Sequence, residues 1–301
     1  MLDLSRPDIL VFLFTTVSGL LLWAGWLILR PGGFPGRNRS VDARWGVLDV
    51  IAIGFFWMAA QSLALGGVLA VRGVPPDTPD PDPRLLATAL IAAGIAQLLA
   101  VAAGLTWLSI RYGHRFGEFG LSGRTALRGI PAGLAGFCMW VPLVWTVQAL
   151  LVRFLPYSHP AIEGMMGRPT PLVIFQTWFL AILVAPLAEE ILFRGVLQGW
   201  LQRWPNRRPE NRGSLIFGES ASPHGNAGDR PIDWMAILLT SLVFAAAHYS
   251  QGPAPVSLFV LSLGIGYLYQ RTGNLTACIV MHMILNTITL TLVSLEIPAP
   301  G

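Results

Sequence analysis

Five ionisable residues lie within otherwise apolar stretches of this 301-residue chain and are the first candidates for chemistry: Glu189, Glu190, Arg194, His248 and His282. A charge is costly in an apolar environment, so each must have a partner, a cavity or a function. Glu190 and Arg194 are four positions apart, which places them on one helix face where they can form an ion pair. Glu189 is turned about 100° away from Glu190 on an α-helix, so we expect it to have a separate role.

Two histidines follow in short motifs with the same spacing. The stretch "FAAAH" places His248 four positions after Phe244, and its three alanines permit close helix approach. The stretch "HMILN" places Asn286 four positions after His282. Three predicted helices therefore each present one polar stripe.

These residue types fit the hydrolysis of an amide. Glu189 can take a proton from water while His248 orients that water or shuttles the proton. His282 and Asn286 can each offer an N–H group to a developing oxyanion, an interaction worth about 3–4 kcal/mol per donor.

A metal site is the rival interpretation of the same residues. Glu189, His248 and His282 match the three protein ligands of a catalytic zinc ion, with water in the fourth position. The HExxH motif of many zinc peptidases is absent from the chain. The residues alone leave both mechanisms open, with either no cofactor or zinc.

The elements that carry these residues are predicted to be membrane-spanning helices. The chain is 53% hydrophobic and only 12% charged, and long apolar runs recur along it. We predict an all-α polytopic membrane protein of about eight transmembrane helices, with the catalytic core in the last four. The predicted runs are Ile9–Leu29, Val50–Val71, Leu85–Ile110, Gly129–Val152, Pro171–Ala188, Trp234–Tyr249, Ala254–Gln270 and Leu275–Leu295.

The order of the apolar runs also predicts the domain ranges and the depth of the polar residues in the membrane. Residues 1–160 would hold the first four helices, and residues 165–297 the core, with a polar, mobile cytoplasmic loop at 205–231. If the fifth helix continues to the cytoplasmic surface near Arg203, Glu189 lies about 21 Å above that surface at 1.5 Å per residue. At the same rise, His248 lies about 22 Å above Asp233, and His282 and Asn286 lie about 12 and 18 Å above Asn274. These depths would allow all four side chains to line one cavity.

Arginine placement predicts the orientation of the chain. All basic residues are arginines; fourteen lie in the connections after helices 1, 3, 5 and 7, and five on the other side. Positive charge is retained in the cytoplasm, so we predict that both termini lie outside. The expected location is a bacterial inner (plasma) membrane. Topology explains the net charge of +4, so no nucleic-acid partner is expected.

The three motifs resemble those of a known family. "EEILFR", "FAAAH" and "HMILN" are similar, in order and placement, to the EExxxR, FxxxH and HxxxN motifs of the CPBP family, which comprises the CAAX proteases and bacteriocin-processing enzymes and is also called Abi. The resemblance covers roughly residues 170–295. It implies an intramembrane endopeptidase with eight helices.

The resemblance also implies roles for individual residues. Glu189 with His248 would activate water, and His282 with Asn286 would form the oxyanion site. Supporting roles would fall to Glu190, Arg194 and, as a cavity-lining residue, Phe244. Members are often labelled metalloproteases, but the glutamate mechanism, which we favour, needs no metal. The expected partners are the lipid bilayer and a peptide or membrane-protein substrate, prenylated in some relatives.

Two other function classes compete with a peptidase. In an ion- or proton-coupled transporter the same ionisable residues would form a relay. Inverted repeats would support that interpretation, and the sequence shows none. A membrane interaction or immunity protein would retain the fold without using its chemistry.

Overall fold

The structure is a computed structural model, and it describes most of the chain. The described residues are 6–29, 43–75, 82–113, 123–155, 170–202 and 232–295, with the single positions 78, 117, 121, 163, 167, 216 and 218. These residues form no strand, and their eight long helices confirm the all-α prediction. The helices are α1 (Pro7–Leu29), α2 (Val47–Val71), α3 (Pro83–Tyr112), α4 (Gly123–Leu151), α5 (Pro171–Leu201), α6 (Trp234–Ala247), α7 (Ala254–Thr272) and α8 (Leu275–Ser294).

Most of these helices suit a bilayer. Among the described residues, six helices are long and apolar enough to cross a membrane: α1 to α5 and α8. Helix α6 is a shorter apolar helix, and α7 is not among the six. Large apolar side chains such as Phe14 and Leu63 are exposed on the outer faces, as expected where lipid is the solvent. The chain is an integral membrane protein.

Side-chain caps fix where several helices begin. Asp82 accepts from the backbone N–H of Arg84 at the start of α3, and Asp233 accepts from Ala236 at the start of α6. Thr170 caps α5, where Pro171 occupies the first turn. Each cap satisfies a backbone donor that has no partner within the helix.

The chain divides into two compact units. The first unit contains α1, α4, α6, α7 and α8, and the second contains α2, α3 and α5. Each unit takes helices from both of the predicted domain ranges, 1–160 and 165–297, and that division stays a prediction. The predicted loop 205–231 lies outside the described residues except at Ile216 and Gly218.

Glycines on α4 let other helices of the first unit pack closely. Helix α4 packs against α1, α7 and α8. A Cβ atom at Gly133 would lie 2.6 Å from the carbonyl oxygen of Ala277, and one at Gly129 would lie 2.8 Å from Asn274 Oδ1. Small residues at this spacing permit close helix approach in membranes, so α8 is held directly against the α4 backbone.

Helix α5 in the second unit departs from regular α-helical geometry. It is continuous from Pro171 to Leu201, but Phe179–Val184 and Ile191–Gln198 are π-helical. Pro186 follows the first π stretch, and a proline can neither donate a hydrogen bond nor fit against the carbonyl four positions earlier. The prediction of a uniform α-helix is therefore wrong for α5. The depth calculated for Glu189 assumed that helix and stays a prediction. The wider π turns leave one α-helical segment between them, Ala185–Glu190.

Candidate active site

The two glutamates lie at the end of this α-helical segment of α5. Glu190 is fully buried, whereas Glu189 is partly exposed. Because both belong to the α-helical segment, the rotation of about 100° between neighbouring side chains applies to them. Adjacent carboxylates thus occupy different environments, which is how one site can give two carboxylates different roles.

Arg194 is the partner of Glu190. Its Nε atom lies 3.1 Å from Glu190 Oε2, and both side chains have no exposed surface. The N–H does not point at that oxygen with the alignment of a hydrogen bond, so the contact is an ion pair. The pairing expected from the four-residue spacing is present, although Arg194 already belongs to the second π stretch.

His248 lies at the end of α6 in the first unit. The helix ends at Ala247, so the predicted end at Tyr249 is wrong and His248 is the C-cap residue. Its Nδ1 atom lies 2.8 Å from the carbonyl oxygen of Phe244. A carbonyl oxygen can only accept, so this contact assigns the proton of the neutral ring to Nδ1 and makes Nε2 the acceptor.

The ring of Phe244 packs against both histidines of the first unit. Its ring centroid lies 4.8 Å from that of His248 and 6.2 Å from that of His282, which it meets edge-on. Phe244 and His282 are buried, and His248 is partly exposed. The fully buried phenylalanine therefore packs against both imidazoles and restricts how they can turn.

Helix α8 carries His282 and Asn286 and is anchored by the residue that precedes it. Asn274 caps the helix by accepting from Thr276 N at 3.0 Å, and its Nδ2 donates to the Thr125 carbonyl at 2.6 Å. His282 is buried and Asn286 is partly exposed one turn later. The cap and the glycines of α4 together fix the register of α8 within the first unit.

The structure thus assembles the predicted residues as two groups. Phe244, His248, His282 and Asn286 belong to the first unit, and Glu189, Glu190 and Arg194 belong to the second. In the described part of either unit, no three His, Cys, Asp or Glu side chains are grouped as metal ligands. The ligand set proposed for zinc, Glu189 with the two histidines, is divided between the units, and the metalloprotease label gains no support.

One family match covers the sequence segment that carries both groups. Residues 171–288 match the family model described as type II CAAX prenyl endopeptidase, Rce1-like. Residues 171–288 belong to the CAAX protease family. This CAAX protease segment runs from the start of α5 into α8 and contains all three motifs, so the resemblance seen in the sequence is confirmed. The family implies a peptidase with a peptide substrate in a lipid bilayer. No curated protein and no solved structure matches the chain significantly.

Some residues that shape this CAAX protease segment are not indicated by its motifs. The indole N–H of Trp45 donates to the carbonyl of Val196 in α5, across 151 positions of sequence. The glycines of α4 that contact α8 also lie outside the matched segment. The spacing of Gly129 and Gly133 is a recognisable small-xxx-small pattern, but Trp45 lies in a sequence that gives no such signal.

Proposed function

We propose that the chain is an intramembrane endopeptidase that hydrolyses peptide bonds by the glutamate mechanism. The observation that carries this proposal is the contrast between neighbouring carboxylates. Glu190 is fully buried in an ion pair with Arg194, whereas Glu189 is partly exposed and presented on a different face. Glu189 is therefore the carboxylate of the pair that a water molecule can reach.

His248 acts with Glu189 on that water. With Nδ1–H donated to Phe244, neutral His248 accepts a hydrogen bond at Nε2. An acceptor at Nε2 orients one O–H of the water while Glu189 takes the other proton. The hydrogen bond to Phe244 therefore favours water orientation over proton shuttling as the role of His248.

His282 and Asn286 stabilise the intermediate. The hydroxide oxygen bonds to the scissile carbonyl carbon, and the carbonyl oxygen becomes an oxyanion that accepts N–H groups from both residues. The C–N bond then breaks, and the proton held by Glu189 passes to the leaving amine. One water is consumed, and a carboxylic acid and an amine are released.

The substrate and location follow from the family and from arginine placement. A peptide or membrane protein with an accessible peptide bond is the proposed substrate class, and a prenylated CaaX-type peptide is the first member to test. The proposed location is a bacterial inner membrane with both termini outside. Supporting roles are assigned to Phe244, which packs on both imidazoles, and to the Glu190–Arg194 pair.

The decisive test is cleavage by purified protein in lipid nanodiscs. Wild type, Glu189→Gln and His248→Ala are compared on a prenylated CaaX-type peptide and on a library of membrane peptides. Glu163→Gln, at an exposed position, and His224→Ala, outside the motifs and outside the described residues, are the matched controls.

We expect cleavage by wild type and both controls, and a loss of at least about 100-fold in the other two variants, the usual contribution of general acid–base catalysis. Wild-type cleavage no greater than that of Glu189→Gln across the whole library would overturn the proposal. The same assay with a chelator tests the mechanism. Complete inhibition that added zinc reverses would replace the glutamate mechanism with a metal-dependent one.

A further inference from the structure

The motif helix α5 is contacted by a buried tryptophan that precedes α2. Trp45 has no exposed surface, and its Nε1 donates to the carbonyl oxygen of Val196 at 2.9 Å. Val196 lies in the second π stretch, two residues after Arg194. The indole N–H of Trp45 is thus directed at the second of the two π-helical stretches of α5.

Gly199 makes room for this contact. It is the first residue after the π stretch, and a Cβ atom there would lie 3.1 Å from Cζ2 of Trp45. That distance is tighter than ordinary van der Waals contact. The indole ring therefore contacts the α5 backbone at Gly199 as well as donating a hydrogen bond to it.

The backbone beside Trp45 is held by a buried carboxylate. Asp49, in the first turn of α2, accepts from Gly46 N at 3.0 Å, from Tyr112 Oη at 2.6 Å and from Trp107 Nε1 at 3.0 Å. Arg44 adds a bond from Nη1 to the Tyr112 carbonyl at 3.3 Å. Three donors converge on one buried carboxylate, and hydrogen bonds to a carboxylate are stronger than neutral ones, so Asp49 anchors Gly46 to α3.

Two residues of the predicted loop 205–231 pack beside Asp49, in what we call the corner around Asp49, formed by Arg44, Gly46, Asp49 and Tyr112. Gly46 lies against the backbone of Ile216, and Gly218 lies against Tyr112 Oη and the carbonyl of Arg44. Gly218 has a φ of +80°, which favours glycine. The corner is therefore packed from α3, from α5 and from the chain that follows α5.

We propose that Trp45 is a positioning residue for the catalytic carboxylate. Its hydrogen bond to Val196 holds the π stretch that begins one residue after Glu190 and contains Arg194. Through the Arg194–Glu190 ion pair, that stretch sets the rotation of the helix segment that presents Glu189. The inference rests on the proposed function, since it assigns Trp45 to the same site.

Trp45→Phe tests this, because it keeps an aromatic ring and removes the N–H. The matched control is Trp23→Phe, which removes an indole bond to the Met139 carbonyl of 3.2 Å from α1, a helix with no motif residue. Both proteins are assayed in nanodiscs, well below their unfolding temperatures, for kcat, KM and the pH profile of kcat. Hydrogen exchange of the amides of residues 191–201 is measured in parallel.

We expect Trp45→Phe to lower kcat at least about tenfold with KM within threefold, to shift the acid limb of the pH profile, and to increase exchange in 191–201. Trp23→Phe should change none of these. Unchanged kcat in Trp45→Phe, or equal losses in both variants, would overturn the inference while leaving the proposed function intact. A wild type no more active than Glu189→Gln would overturn the proposed function and the inference together.

Discussion

The Nδ1 atom of His248 lies 2.8 Å from the carbonyl oxygen of Phe244, four residues earlier at the end of α6. This bond uses the polar group that the last turn of a helix leaves without an intrahelical partner. It determines which imidazole nitrogen accepts, and it couples the orientation of His248 to a phenylalanine ring that also packs on His282.

Substitutions of His248 should therefore distinguish its two nitrogens. Glutamine can place an acceptor near the position of Nε2, whereas asparagine can replace only the group near Nδ1. If Nε2 orients the water, His248→Gln should retain more activity than His248→Asn, and His248→Asn should resemble His248→Ala, with a loss of about 10²-fold or more. Initial rates at saturating substrate measure this order. Equal activity of the Gln and Asn variants would contradict it.

The Glu190–Arg194 pair should show strong coupling in stability. Removing one partner of a buried pair leaves an uncompensated buried charge and typically destabilises a protein by about 3–5 kcal/mol. We expect Glu190→Gln and Arg194→Met each to lower the apparent unfolding temperature strongly, because both side chains are fully buried. The double variant should lose less than the sum of the single losses. Additive losses in a thermal unfolding series would show that the pair contributes no coupling.

Local patterns in the sequence predict much of the fold and one contact of the candidate site. Apolar run length gave eight helices, and the four-residue spacing gave the Glu190–Arg194 pair. Both depend on interactions within one segment, which a sequence displays directly.

The errors and omissions have a common cause. The π stretches of α5 depend on how Pro186 and its neighbours share hydrogen bonds, and an apolar pattern is the same for either helix type. The contact between Trp45 and Val196 joins residues 151 positions apart, and spacing within a segment carries no information about it. The apolar run extends two residues past the end of α6, because Tyr249 continues it.

The close contact between α4 and α8 predicts opposite effects for two glycine substitutions. Alanine at Gly133 would place its Cβ 2.6 Å from the Ala277 carbonyl oxygen and push α8, with His282, away from α4. We expect Gly133→Ala to destabilise the protein by about 1–3 kcal/mol, as overpacking does, and to reduce activity. Gly66 on α2 is the control, because a Cβ there meets nothing within 4 Å. Gly66→Ala should be neutral or stabilising by up to about 1 kcal/mol. Apparent unfolding temperatures that move in the same direction would contradict this account of α4.

The corner around Asp49 predicts that two glycines with positive φ respond differently to alanine. Gly73 and Gly218 have φ of +68° and +80°, so either substitution incurs a backbone strain of about 1–2 kcal/mol. A Cβ at Gly73 meets nothing within 4 Å, whereas one at Gly218 would overlap Tyr112 Oη and the Arg44 carbonyl. Gly218→Ala should therefore lower the apparent unfolding temperature more than Gly73→Ala.

The excess loss should become smaller when the overlapping hydroxyl is removed. In a Tyr112→Phe background the contact with Oη is gone, while those with the ring carbon Cε1 and the Arg44 carbonyl remain, so the difference between Gly218→Ala and Gly73→Ala should shrink. Thermal unfolding of the four variants in nanodiscs measures this. Equal losses for the two glycines in the wild-type background would mean that the chain around Gly218 does not pack on this corner. A difference that Tyr112→Phe leaves unchanged would assign the overlap to the Arg44 carbonyl and to the ring carbon Cε1 that phenylalanine keeps.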